Sequence, residues 1–384
     1  FFTNHMVRQY WEQGAHIVLV DTGNSYKGLC ELIHSKTRGE DGIYFTYTDT
    51  EPITFNPFYT EDGLFDIEKR ESVKTLILTL WKRDDEPPSR SEEVALSNAV
   101  NLYLEHIGRH PEHKPSFNGF YRFVGRDYRR LLRQKNVREK DFDIDNFLTV
   151  LEPYYEGGEY DYLLNSDKEL DLLHKRFIVF ELDNIRDHKI LLPIVTIIIM
   201  ETYIGKMRRL KGVRKVILIE ECWKALTSAN MSEYIRYLYK TVRKYFGEAV
   251  IVTQEVDDII SSPIVKETII NNADCKILLD QRKYINKFDQ IQTLLGLTEK
   301  EKAQVLSINL SNDSSRHYKE VWIGLGGVQS AVYATEVSDE EYLCYTTEES
   351  EKAEVFALAE KLDGDLEAAI RQLARKRRMK SNPL

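Results

Sequence analysis

Two adjacent carboxylates, Glu220 and Glu221, close the stretch RKVILIEECW, which runs from Arg214 to Trp223. Val216, Ile217, Leu218 and Ile219 precede them without a polar interruption, the pattern of a strand buried on both faces of a parallel sheet. In open α/β sheets, sites lie just beyond the carboxyl ends of the strands. Two acids there can divide the labour of a hydrolysis, one helping to hold Mg²⁺ and the next orienting or deprotonating water. The same pair would also suit a solvated loop or the first turn of a helix, where negative charge is favoured.

Other residues extend the list. Gln254 ends the aliphatic run AVIVTQ, and an amide can donate to a phosphate while accepting from water. Asp21 ends HIVLVD and can line a site or be an ordinary loop acid. Arg236, Lys240 and Arg243 recur at helical spacing and make a basic stripe; Arg282 is a further isolated cation. Cys30, Cys222, Cys275 and Cys344 are widely spaced with no CxxC pair, which fits reduced thiols and carries no metal signature.

The elements that must position these groups can be taken in chain order. FFTNHMVRQYW carries Phe2, Met6 and Tyr10 at helical spacing with no N-cap residue ahead of them, and Gly14 ends that helix. His16 to Asp21 reads as a buried strand, TGNSY as a turn, Leu29 to Ile33 as part of a short amphipathic helix, and Ile43 to Tyr47 as a second strand. From Asp66 to about Lys175 only helical patterns occur. Strand character returns at RFIVFEL, Arg176 to Leu182, and a helix starts near Leu191 with Pro193 in its first turn. A helix over 230–246 is expected, with Asn230 and Glu233 at capping-box spacing, Phe246 on its buried face and Gly247 as its stop. Ala249 to Gln254 and CKILLD, Cys275 to Asp280, read as further buried strands of the sheet, and VWIGLGGVQSAVYA as a hairpin through Gly326 and Gly327. Leu366 to Met379 closes the chain as a helix with Leu366, Ile370 and Leu373 inward. Trp223 is expected to pack under the sheet edge. Strands alternating with helices predict a parallel α/β sheet.

The 384 residues are enough for two domains or one with a large insertion, and 42% hydrophobic with 30% charged residues describes a globular chain. A net charge of −9 excludes a surface basic throughout, so nucleic acid could be met only by a local patch. The basic run Arg375, Lys376, Arg377, Arg378 and Lys380 is the candidate for DNA or anionic lipid, or a helix end with favourable cationic charge. The longest apolar stretch, Ile190 to Met200, is broken by Pro193 and falls short of the ~20 residues of a membrane span.

A phosphate-binding loop of the form G-x-x-x-x-G-K-[ST] is missing from the 384 residues; Gly205-Lys206 lacks the upstream glycine. Either the chain is no ATPase or the motif lies just before Phe1. The uncapped helix followed by a buried strand favours the second, because a P-loop leads straight into that pair of elements.

Taken together, DTGNSYKGL, ITFNPF, VILIEECWKAL, TVRKYFGEAVIVTQEVDDI and IINNADCKILL resemble, in this order, the conjugative ATPases of type IV secretion systems. The resemblance is nearest to the TraG-type ATPases of conjugative transposons, in the HerA–FtsK branch of P-loop motors, and it spans nearly the whole chain. It implies an α/β RecA-like P-loop NTPase core with a mostly parallel sheet flanked by helices, an all-helical insertion subdomain, and a C-terminal β-hairpin and helices. The expected segments are 1–65 and 176–345 for the core, 66–175 for the insertion, and 346–384 for the tail.

For the site, the resemblance implies that Glu220 stands for the family's metal-side acid, usually Asp, contacting Mg²⁺ through water. It implies that Glu221 is the water-activating glutamate and Gln254 the sensor of the γ-phosphate. Arg243 matches within RKY and could act across a subunit boundary as an arginine finger, although the stripe it belongs to also suits a solvated helix face. Arg282 is a weaker candidate for that role. The implied cofactors are ATP and Mg²⁺. The implied partners are further copies of the chain, often as a hexamer, other secretion-system components at the bacterial inner membrane, and DNA. A cytoplasmic position peripheral to that membrane, driving DNA or protein transfer or pilus assembly, is expected for the parent protein. With the P-loop upstream, this chain alone is expected to bind ATP poorly and to be inactive. Competing expectations are a DNA translocase or coupling protein of the same superfamily and a non-enzymatic docking scaffold.

Overall fold

A computed structural model describes residues 1–384 except 49–52, 61–62, 64, 84–85, 111, 167–171, 189, 222–228, 255–265, 311–317 and 382–384. Trp223 and Cys222 therefore lie outside the described residues. Two compact units make up the chain. The first takes Phe1–Tyr44, Lys175–Glu181 and Lys206–Leu384; the second takes Phe45–His174 and Leu182–Gly205.

The first unit is built on a five-stranded sheet of order β2-β3-β1-β4-β5, with β1 His16–Asp21, β2 Ile43–Thr46, β3 Phe177–Glu181, β4 Lys215–Glu220 and β5 Gly247–Val252. β1 pairs in parallel with β3 and β4, and β4 with β5. β1 and β3 are buried at every position and β4 at all but Glu220, as unbroken aliphatic and aromatic runs require of strands covered on both faces. β5, read from its sequence as a buried strand, is half-buried after Gly247 because it ends the strand order. Helices α1 Phe2–Glu12 and α2 Lys27–Lys36 contribute Val7, Leu29 and Ile33 to a core shared with Ile17, Leu19, Val216 and Leu218.

Three later features depart from the expectations. CKIL, β6 Cys275–Leu278, is a strand, but it lies outside the parallel sheet. It runs antiparallel to β7 Tyr318–Leu325, which pairs with β8 Gln329–Glu336 through a turn where Gly326 and Gly327 have positive φ, as primed hairpin turns need. A helix spans Ala229–Thr241, so the backbone of Asn230 lies within it and not ahead of it. It gives way to a single 3₁₀ stretch over Val242–Tyr245, and the chain reverses at Phe246, which is exposed and left-handed at φ 54°; Gly247 already belongs to β5. After β8, helices spanning Asp339–Tyr345, Glu349–Lys361 and Leu366–Ser381 close the unit, with Leu366, Ile370 and Leu373 in the core.

The second unit is helical. Asp66 caps the helix Ile67–Trp81 by accepting from the Lys69 N–H, and Ser89 with Glu92 forms a capping box on Arg90–Arg109. Phe58, Tyr103 and Phe120 meet edge-on and tilted in its core, and Trp81, Phe142 and Phe147 form a second aromatic group. Between 66 and 174 no strand occurs among the described residues. Among the described residues, no helix is long and apolar enough to cross a membrane.

Candidate functional site

The carboxyl ends of three neighbouring strands each carry an acid: Glu181 on β3, Asp21 on β1 and Glu220 on β4. Asp21 and Glu181 are register partners across the β1–β3 pair, and both are fully buried. They act on the loop that follows β1. Gly23 and Asn24 donate their backbone N–H groups to the two Glu181 oxygens at 3.1 and 2.6 Å. Ser25 and Tyr26 donate theirs to Asp21 Oδ2 at 2.6 and 3.3 Å. Gly23, at φ +117°, is needed for this path. Four successive N–H groups of a glycine-containing turn are thus consumed by carboxylates, so DTGNSY does not offer them to a phosphate.

Burial first, then the charges of Glu181 and Glu220, push the Asp21 carboxyl up to about 8. Its Oδ1 is buried without a hydrogen-bond partner. The raised pKa favours the protonated form of Asp21 beside Glu181. Burial also raises the Glu220 carboxyl, opposed chiefly by the Tyr26 hydroxyl, which donates to Glu220 Oε1 at 2.5 Å. The amino end of α1 lies close to Glu220.

Glu221 follows in a left-handed conformation, φ 49°, with its N–H donating to the Val252 carbonyl at 3.0 Å. For a residue with a Cβ this costs about 1–2 kcal/mol. It turns the chain at the strand end, where strain recurs at functional positions. Glu220 is the register partner of Val252, and Gln254 lies two residues further along, exposed, with its carbonyl accepting from the Tyr284 hydroxyl at 3.3 Å. Glu220, Glu221 and Gln254 therefore share the carboxyl edge of the sheet, with Asp21 beside them.

Arg243 does not join them within one chain. It precedes β5, at the amino edge of the sheet, about 17 Å of strand away from the acids. There it pairs with Asp274 at 3.1 Å, both side chains well exposed. Arg282 is engaged by Asp280 at 2.5 Å. Three of the five tail cations are engaged similarly: Arg377 with Glu351, Arg378 with Glu340 at 2.7 Å, Lys376 with Glu354 at 3.5 Å.

A family model described as the TraG P-loop domain matches residues 1–377. The chain belongs to that family. Protein TraC of Escherichia coli K12 is 24% identical over 295 residues, 74% of this chain but only 31% of TraC, so the TraG P-loop domain here spans about a third of that relative. The type IV secretion system protein virB4 of Bartonella quintana is 26% identical over 166 residues, 43% of this chain and 20% of that protein. Among solved structures, VirB4 of Thermoanaerobacter pseudethanolicus superposes with a TM-score of 0.56 at 18% identity, covering 88% of this chain and 86% of that one. The plasmid coupling protein TrwB in complex with ADP and Mg²⁺ gives 0.51 at 12% identity, covering 88% and 82%. The fold of this TraG P-loop domain is the RecA-like P-loop NTPase fold.

Two residues of the candidate site were not singled out from the sequence, Glu181 and Tyr26. The first had a signal, since RFIVFEL is an aliphatic run ending near an acid just as HIVLVD and VILIE do. The second had none, because which strand tip a loop tyrosine reaches is set by strand order.

Proposed function

We propose that this domain is the hydrolytic part of an ATPase that serves conjugation or type IV secretion. The observation that carries the reading is the pair Glu220 and Glu221 at the carboxyl end of β4, beside the central strand β1, with Glu221 in a left-handed conformation. Glu220 is the acid on the metal side, and Glu221 is the group that accepts a proton from, or orients, the attacking water. Gln254, on the adjacent strand end, is the candidate for sensing the γ-phosphate. Arg243, exposed at the far edge, suits a role across a subunit boundary.

The donor set fits Mg²⁺. Glu220 is a single strand-end carboxylate, and Mg²⁺ usually takes one or two carboxylates with substrate phosphates and water supplying the remainder. When bound, the ion neutralises phosphate charge. The amino end of α1, whose side chains supply no cap, adds a favourable environment for an anion beside Glu220. A phosphate-binding loop of the form G-x-x-x-x-G-K-[ST] does not occur within these 384 residues. Nucleotide and Mg²⁺ in TrwB support the cofactor assignment.

Assembly into a homo-oligomer, a hexamer by analogy with the family, and docking to secretion components at the inner membrane belong to the same proposal. Direct DNA handling is the weaker reading, because three of the five tail cations meet carboxylates of the neighbouring helices. The test is ATP turnover by the chain extended through the residues encoded immediately upstream of Phe1, with the unextended chain expected to bind ATP poorly. Absence of turnover in the extended protein would leave the docking-scaffold reading.

A further inference from the structure

Tyr26 is fully buried, yet its hydroxyl partner is a strand-end carboxylate. A buried tyrosine hydroxyl needs a hydrogen-bond partner, and the loop that carries this one is held from several sides. Its N–H groups go to Asp21 and Glu181; the Ser25 carbonyl accepts from Asn4 Nδ2 at 3.0 Å, and the Asn24 carbonyl from Lys352 Nζ at 2.8 Å. The Asn24 side chain in turn accepts from the Tyr44 hydroxyl at 2.8 Å. A loop pinned this completely delivers the Tyr26 hydroxyl to one position, which is Glu220 Oε1 at 2.5 Å. An O–H donated to an ionised carboxylate is among the stronger hydrogen bonds and fixes the carboxylate plane.

We propose that Tyr26 is a positioning residue for Glu220, holding Oε1 so that the carboxylate is presented in one orientation to a divalent cation. This rests on Glu220 being the metal-side acid. The chain of dependence then runs from the buried pair Asp21 and Glu181, through the loop, to Tyr26 and Glu220. It explains why four backbone N–H groups of one turn are anchored on two acids.

The experiment uses Tyr26→Phe, which deletes one oxygen and keeps the ring, in the chain extended through its natural upstream residues. Mn²⁺ binding in the presence of ADP is read by electron paramagnetic resonance, alongside metal-free ADP affinity and the thermal midpoint. Removing a partner that orients a metal ligand commonly weakens the metal by 10–100-fold. The expected result is a Mn²⁺ Kd raised about 10-fold, with metal-free ADP binding close to wild type and a lowered thermal midpoint from the lost buried hydrogen bond. On a Glu220→Gln background the same substitution should add nothing further. Unchanged Mn²⁺ affinity in Tyr26→Phe, or a parallel loss of metal-free ADP binding, overturns the inference. Failure of the wild type to bind Mn²⁺ with ADP overturns the metal-side reading of Glu220 and this inference with it, and is seen before any variant is made.

Discussion

Asp21 and Glu181 sit opposite each other in register on adjacent parallel strands, and together accept the four consecutive backbone N–H groups of Gly23 to Tyr26. Two buried acids in such proximity cannot both be ionised cheaply. Their pairing makes the carboxyl edge of the sheet a proton-dependent structure as well as a candidate site.

The pH dependence follows from the sign of the shift. Burial raises the folded-state Asp21 carboxyl to about 8, above its unfolded value. Its stabilisation is therefore fully present below the usual carboxylate range and is lost as pH rises through about 8. The slope can reach about 1.4 kcal/mol per pH unit inside that window. Asp21→Asn keeps an acceptor for Ser25 and Tyr26 and a donor toward Glu181 without a proton to lose. Thermal melts at pH 6 and pH 9 should show the wild type falling and Asp21→Asn staying nearly level.

Packing in the antiparallel sheet gives a second test. A Cβ added at Gly324 would collide with the ring of Trp322, which is buried and held by its Nε1–H donating to Gln304 Oε1 at 3.1 Å. The ring has no room to yield. Gly324→Ala should cost about 1–3 kcal/mol, measured by urea unfolding, with no change in m-value.

The basic tail gives a third. Arg377 and Arg378 are paired with Glu351 and Glu340, on the two helices that precede their own. Replacing both by Ala should lower the thermal midpoint and make it less sensitive to salt. DNA affinity, read by fluorescence anisotropy between 50 and 200 mM salt, should stay unchanged. A salt-dependent loss of DNA binding in the double variant would instead favour the coupling-protein reading.

What could be read from the residues divides along a physical line. β1 was legible to its ends, and β4 with it, because an unbroken aliphatic run suits burial on both faces and little else. The acids at the tips of β1 and β4 were legible because charge after such a run needs a reason. Strand order is a non-local property, so CKIL was recognised as a strand but assigned to the wrong sheet. The half-burial of β5 escaped notice for the same reason. At Phe246 the expected helix stop was Gly247, the easier residue in a left-handed turn; the chain puts Phe there and pays a local strain. Glu181 carries the same strand-end signal as Asp21, whereas the reach of Tyr26 to Glu220 follows only from β4 lying beside β1.

Glu221 bears the central claim. Steady-state phosphate release should be measured for the chain extended through its natural upstream residues, wild type against Glu221→Gln, with ATP binding measured in parallel. The account predicts turnover in the wild type, a loss of about 100-fold or more in the variant, and ATP affinity retained within a few-fold. Undiminished turnover in Glu221→Gln would contradict it.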